Sequence, residues 1–171
     1  MKIFGIAGFS GSGKTTLMER MLPAFVLEGL TVSVIKHAHH LFDVDRPGKD
    51  SYRHREAGAT EVLITGGERW VLMHELRGQP EQTLEQMIKH FSPCDIVLVE
   101  GFKNEPIPKL EVHRAASGRP LLYASDPDVV AIATDEPLDT TLPQLDINYP
   151  DSVALFIMKY LGFNVEDRLL A

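Results

Sequence analysis

The sequence predicts a three-layer α/β fold, a mostly parallel sheet flanked by helices with extra antiparallel hairpin strands. Three observations predict it. Short β-branched runs alternate with amphipathic stretches, the pattern of strands joined by crossover helices. A glycine-rich turn links the first run to the first amphipathic stretch. Hydrophobic residues make up 44% of the 171, enough to bury a core, which excludes disorder.

The elements follow in order. Ile3–Ala7 reads as the first strand and Thr31–Ile35 as the second. Between them Met18, Met21, Leu22, Phe25 and Val26 keep helical spacing and give one apolar face. Pro23 should kink or shorten that helix, and Gly29 stands where a C-terminal cap belongs. Val62–Thr65 and Trp70–Leu76 read as hairpin strands around Gly66-Gly67. A helix carrying Leu84, Met87, Ile88 and Phe91 comes next, then a strand of the buried type within Asp95–Glu100. Leu110–His113, Leu121–Ala124 and Val129–Ala133 are further strand candidates. Residues 137–150 read as a surface loop, and a last helix starts at Asp151, with Val153, Phe156, Ile157, Tyr160 and Leu161 inward and Gly162 at its end. No stretch rich in Pro, Gly or Ser splits the chain, so one domain over 1–171 is expected.

Composition narrows the function classes. Seventeen Lys and Arg against 24 Asp and Glu leave a net charge of −7, which argues against coating nucleic acid. The longest purely apolar run, Val153–Met158, has six residues, too few to span a membrane. The opening Met-Lys-Ile reaches glycine-rich sequence too early for a signal peptide, so a cytoplasmic protein is expected. A single cysteine, Cys94, excludes an intrachain disulfide and a multi-cysteine metal cage. Cys94 precedes a buried strand and reads as structural.

Gly8-Phe9-Ser10-Gly11-Ser12-Gly13-Lys14-Thr15 matches G-x-x-x-x-G-K-[ST] at every fixed position, between a predicted strand and a predicted helix. Glycines let the backbone curl so that successive N–H groups point at phosphate oxygens, and the helix start adds its positive end. Lys14 would reach the β- and γ-phosphates, Thr15 would ligate Mg²⁺, and Thr16 would hold an α-phosphate oxygen. Asp95 and Glu100 flank the later strand, roughly 16 Å apart at about 3.3 Å per residue. Ligands of open α/β sheets collect at carboxyl ends of strands. That selects Glu100 for the metal or for an attacking water, with Gly101 allowing close approach. The same edge argument reaches Asp135, whose carboxylate could accept guanine N1–H and the 2-amino group together. The plainer alternative is a loop or cap Asp, and the Asn-Lys-x-Asp signature of common GTPases is absent.

The segment 36–51 also leaves a strand. His37, His39 and His40 offer a metal-binding reading. Lys36, Arg46, Lys49, Arg53 and Arg55 concentrate positive charge, which makes an anionic ligand the more economical one. Asp45 would contact magnesium indirectly or position water, and Asp50 or Ser51 would cap a short helix ending at Gly58. Trp70 reads as a core or interface anchor.

Together the P-loop, Ile-Lys-His-Ala-His-His (35–40), Asp-Val-Asp-Arg-Pro-Gly-Lys-Asp-Ser-Tyr (43–52), Leu-Val-Glu-Gly-Phe-Lys (98–103) and Ala-Thr-Asp-Glu-Pro (133–137) resemble the molybdopterin-guanine dinucleotide biosynthesis protein B family. The resemblance, which also takes in Leu-Asp-Ile-Asn (145–148), spans nearly the whole chain and implies a P-loop NTPase fold. It implies a dimeric, Mg²⁺-dependent GTP-binding protein with weak GTPase activity, acting mainly as an adapter. Its partner would be the guanylyltransferase that joins GMP to molybdopterin, with molybdopterin as a possible ligand. Gly11, Ser12, Gly13, Lys14, Thr15 and Thr16 carry over as phosphate residues, with Asp45 and Glu100 near the metal. Lys14, Glu100 and Asp45 are then the candidates for chemistry at the nucleotide.

Slow turnover fits the sequence, because neither an arginine finger after the P-loop nor a water-positioning Gln can be named. The alternatives are a small-molecule kinase, with an acceptor on the basic loop and Glu100 as base, or a metal-delivery GTPase using the three histidines. A homodimer is expected from the extra strands around Thr60–Leu76 and Lys109–Ala124.

Overall fold

Residues 1–38 and 42–165 are described in the computed structural model of the chain. They divide into two compact units, Met1–His37 with Met87–Ala171, and Ala38–Gln86.

The first unit holds a six-stranded sheet. Its strands are β1 (Lys2–Ala7), β2 (Val32–Lys36), β5 (Ile96–Glu100), β6 (Lys109–Val112), β7 (Val129–Thr134) and β8 (Gln144–Asp146), in the order β2-β5-β1-β6-β7-β8. Every pairing is parallel. All carboxyl ends therefore share one edge, the geometry on which Glu100 and Asp135 were selected. β5 is buried at every position, as expected of a strand covered on both faces. Helices α1 (Lys14–Leu27) and α4 (Pro150–Tyr160) pack together, and Leu17, Met18, Met21, Phe25, Val153, Ile157 and Met158 join Phe4, Ile6, Leu98 and Leu110 in one core.

Several expectations are corrected. Helix α1 is not shortened; it runs through Pro23 to Leu27, and Val26 is exposed rather than inward. Gly29 does follow its end, at φ 74°. Leu121–Ala124 is a turn, because the buried Glu111 carboxylate accepts the N–H groups of Leu122 and Tyr123 at 2.7 and 3.0 Å, donors that a ladder would need. The presumed loop 137–150 contains β8, which pairs with β7. Helix α4 begins one residue early, on a proline whose missing N–H costs nothing in the first turn. Ala154, Leu155 and Met158 are buried there, whereas Tyr160 is exposed. Helix α3 (Leu84–Ile88) stops before Phe91, and Met87 is exposed. Among the described residues no helix is long and apolar enough to cross a membrane.

The second unit contains α2 (Asp50–Glu56) and the antiparallel hairpin β3 (Glu61–Thr65) and β4 (Trp70–His74). β4 ends two residues before the expected Leu76. Neither Asp50 nor Ser51 caps α2; Lys49 occupies that position, and no side chain caps it. Arg55 organises the unit. It lies 2.8 Å from Asp43, 3.3 Å from Asp45 and 2.9 Å from Glu75.

Candidate functional site

Residues 8–15 turn sharply between β1 and α1. Gly8, Gly11 and Gly13 have φ of 146°, 81° and 94°, a region that disfavours any Cβ. Space is also closed at Gly8, where a Cβ would meet the Val112 carbonyl oxygen at 2.5 Å and Ser12 Oγ at 2.8 Å. No side chain caps α1 at Gly13. Its first-turn N–H groups, which have no partner within a helix, stay available to an anion. Ser12 Oγ is buried in the same turn without a hydrogen-bond partner. Lys14 folds back over the loop, donating to the carbonyls of Gly8 and Phe9 at 3.0 and 2.9 Å. Burial pulls the Lys14 pKa down, Glu100 opposes this, and Lys36 adds to the lowering.

Glu100 is where the edge argument put it. Thr15 Oγ1 donates to Glu100 Oε1 at 2.8 Å. Lys36 Nζ completes the group, 3.2 Å from Thr15 Oγ1 and 3.4 Å from Glu100. A hydroxyl and a carboxylate side by side are hard oxygen donors of the type Mg²⁺ takes, with phosphates and waters filling its other positions. The set fits that ion. Asp95 lies at the opposite edge, accepting from the Thr31 N–H at 2.7 Å and hydroxyl at 2.6 Å. Gly101 does permit a close approach, but of His37: at φ 93°, a Cβ there would stand 3.0 Å from His37 Cβ. Thr16 is exposed in the first turn, and Gly11 faces open space.

Asp45 belongs to the other unit. Its Oδ1 accepts from the Ser51 hydroxyl and the Arg46 N–H, both at 2.9 Å, and its Oδ2 pairs with Arg55. The anionic-ligand reading of 36–55 loses three of its cations to local pairs, since Arg55 faces three carboxylates, Lys36 faces Glu100 and Arg53 lies 3.9 Å from Asp50. His39 and His40 lie outside the described residues. Among the described residues no group of three or more His, Cys, Asp or Glu is placed to hold a metal ion.

Asp135 follows β7 at the ligand edge. Its carboxylate accepts from the Ala115 N–H at 3.0 Å and from Arg114 at 3.2 Å. The Ala115 N–H, with Arg114 adding, holds it below the usual carboxylate range. Sequence reasoning missed Arg114. Its guanidinium lies beside the P-loop, Nε 3.6 Å and Nη2 3.7 Å from where a Gly13 Cβ would stand. Arg119 sits 5.7 Å over the Phe9 ring. The edge argument that selected Glu100 and Asp135 reaches Arg114 too, once it is applied to the end of β6.

Comparison with known proteins gives the family. The family described as molybdopterin guanine dinucleotide synthesis protein B, MobB, matches residues 3–135. The molybdopterin-guanine dinucleotide biosynthesis adapter protein of Haemophilus influenzae is 44% identical over 161 residues, covering 93% of this chain and 89% of that one. The protein of the same description from Escherichia coli is 40% identical over 162 residues, 93% of each. Among solved structures, Bacillus subtilis MobB superposes with a TM-score of 0.74 at 27% identity, over 97% of this chain and 100% of that one. With the P-loop, the Asp-Val-Asp-Arg-Pro-Gly-Lys-Asp-Ser segment and Val-Glu-Gly-Phe-Lys all inside or overlapping the matched span, the chain belongs to the MobB family.

Proposed function

We propose that this protein is a GTP-binding adapter in molybdopterin-guanine dinucleotide biosynthesis, with weak Mg²⁺-dependent GTPase activity, assisting the guanylyltransferase that joins GMP to molybdopterin. The observation that carries the nucleotide reading is the turn at 8–15, an anion nest with an uncapped helix start and a Thr15–Glu100 pair beside it. Relatives described as adapter proteins, 44% and 40% identical over nearly the whole chain, support the pathway.

In this reading the first-turn N–H groups of α1 and Lys14 bind the polyphosphate, and Thr16 holds the α-phosphate end. Thr15 and Glu100 would hold Mg²⁺, which would supply positive charge against the phosphate oxygens. Lys36, which now contacts both groups, would have to release them for a cation to be held there. Asp135 reads guanine with the lone pairs left by Ala115 and Arg114, since an ionised carboxylate offers about four acceptor sites. Asp45 acts within its own unit, and any part it takes at the metal requires release from Arg55. Turnover without a partner is slow, about 10⁻⁴–10⁻² s⁻¹, so nucleotide occupancy rather than hydrolysis sets the shape presented to the transferase or to molybdopterin. The protein acts as a homodimer, a reading supported by the apolar surface of the β3–β4 hairpin.

Calorimetric titration with GTP, ATP and GDP, with and without Mg²⁺, tests the proposal. GTP should bind more tightly than ATP, and Mg²⁺ should strengthen triphosphate binding more than diphosphate binding. Equal affinity for GTP and ATP would remove the guanine reading, and indifference to Mg²⁺ would remove the metal role of Thr15 and Glu100.

A further inference from the structure

We propose that Arg114 is a second phosphate-binding side chain of this site, supplied in cis from the end of β6 and positioned by Asp135; the inference rests on the polyphosphate reading of residues 8–15. The guanidinium has two working edges. One nitrogen, Nη1, donates to Asp135 Oδ2 at 3.2 Å, and the neighbouring Ala115 N–H donates to Oδ1 at 3.0 Å. Side chain and backbone are thus held by one carboxylate. Its other two nitrogens, Nε and Nη2, are the atoms nearest to Gly13, 3.6 and 3.7 Å from the point where its Cβ would stand. That pair is the planar fork that meets a phosphate with two parallel N–H···O bonds. The side chain is 41% exposed, so it is not sealed inside the fold.

A half-exposed ion pair by itself contributes little stability, about 0–1 kcal/mol. Holding a guanidinium against the last glycine of an anion nest does something more useful. It keeps a fixed charge beside the turn where a polyphosphate would bind, with the contact to Asp135 already made. Lys14 reaches the same loop from within α1, and Arg114 reaches it from β6. Polyphosphate is then bound from two elements rather than one.

The test is equilibrium binding of GTP and of guanosine to the wild type, Arg114→Ala and Arg114→Lys at fixed Mg²⁺. Arg114→Ala should weaken GTP about 10- to 100-fold, the range of a charge-assisted hydrogen bond, and change guanosine far less, since Ala115 still holds Asp135. Arg114→Lys should recover part of the loss, as a point charge without the fork. If Arg114→Ala fails to fold, Arg114→Gln carries the same comparison. GTP affinity equal to the wild type would overturn the assignment, and so would equal weakening of GTP and guanosine, which marks a structural role. A wild type that binds guanosine as well as GTP would sink the polyphosphate reading itself, and this inference with it.

Discussion

Asp95 and Glu100 end the same strand segment and have opposite surroundings. Asp95 is tied to Thr31 at both its side chain and its backbone: its carboxylate accepts from the Thr31 N–H and hydroxyl, and its own N–H is shared between the Thr31 hydroxyl at 2.9 Å and the Thr31 carbonyl at 3.0 Å. The Thr31 hydroxyl, then the Thr31 N–H, holds its pKa below the ordinary value. A carboxylate depressed in the folded state contributes stability that is present above its unfolded value, about 3.9, and lost as pH falls through the folded value. Thermal unfolding of the wild type should therefore lose ground below about pH 4, where Asp95→Asn, already less stable at pH 7, changes less. Parallel curves for the two proteins would show that the Asp95–Thr31 contact does not govern acid stability. Glu100, by contrast, faces Thr15 and two cations, Lys14 and Lys36.

At the scale of elements the hairpin is the least self-sufficient part. Leu63 pairs with Leu72 and Thr65 with Trp70, so these residues share one face, and Trp70 is 64% exposed. Ile64 and Val71 pair on the other face and are exposed as well. A two-stranded hairpin is marginal alone in water, and exposed apolar surface of this kind marks an interface. The proposed dimer covers it with a second copy. Sedimentation should give about twice the 19.1 kDa chain mass for the wild type and the chain mass for Leu72→Lys. A wild type at 19.1 kDa, or a variant that stays dimeric, would contradict this use of the hairpin. The expectation that Lys109–Ala124 supplies extra strands for the dimer is not met, since β6 lies inside the main sheet and Leu121–Ala124 is a turn.

Across the molecule, the parallel sheet was legible because its central strands are continuous apolar runs and its first turn is a fixed glycine pattern. Glu100 was legible for the same reason: strand direction alone separates it from Asp95. What stayed hidden depends on contacts distant in sequence. β8 is three residues long and shows no period of its own. Glu111 diverts Leu122 and Tyr123 from a ladder across ten intervening positions, and Arg114 meets Gly13 only once β6 lies beside β1. The charge of the 36–55 segment misled because the sequence shows cations and anions but not their pairing. Arg55, counted there as available positive charge, is enclosed by Asp43, Asp45 and Glu75.

The central claim is that residues 8–15 capture a polyphosphate. The most direct measurement compares wild type and Lys14→Ala for binding of GTP and of guanosine. Removing the ammonium that lies over the loop should weaken GTP about 10- to 100-fold and leave guanosine unchanged. Equal affinity of the two proteins for GTP, or equal losses for both ligands, would contradict it.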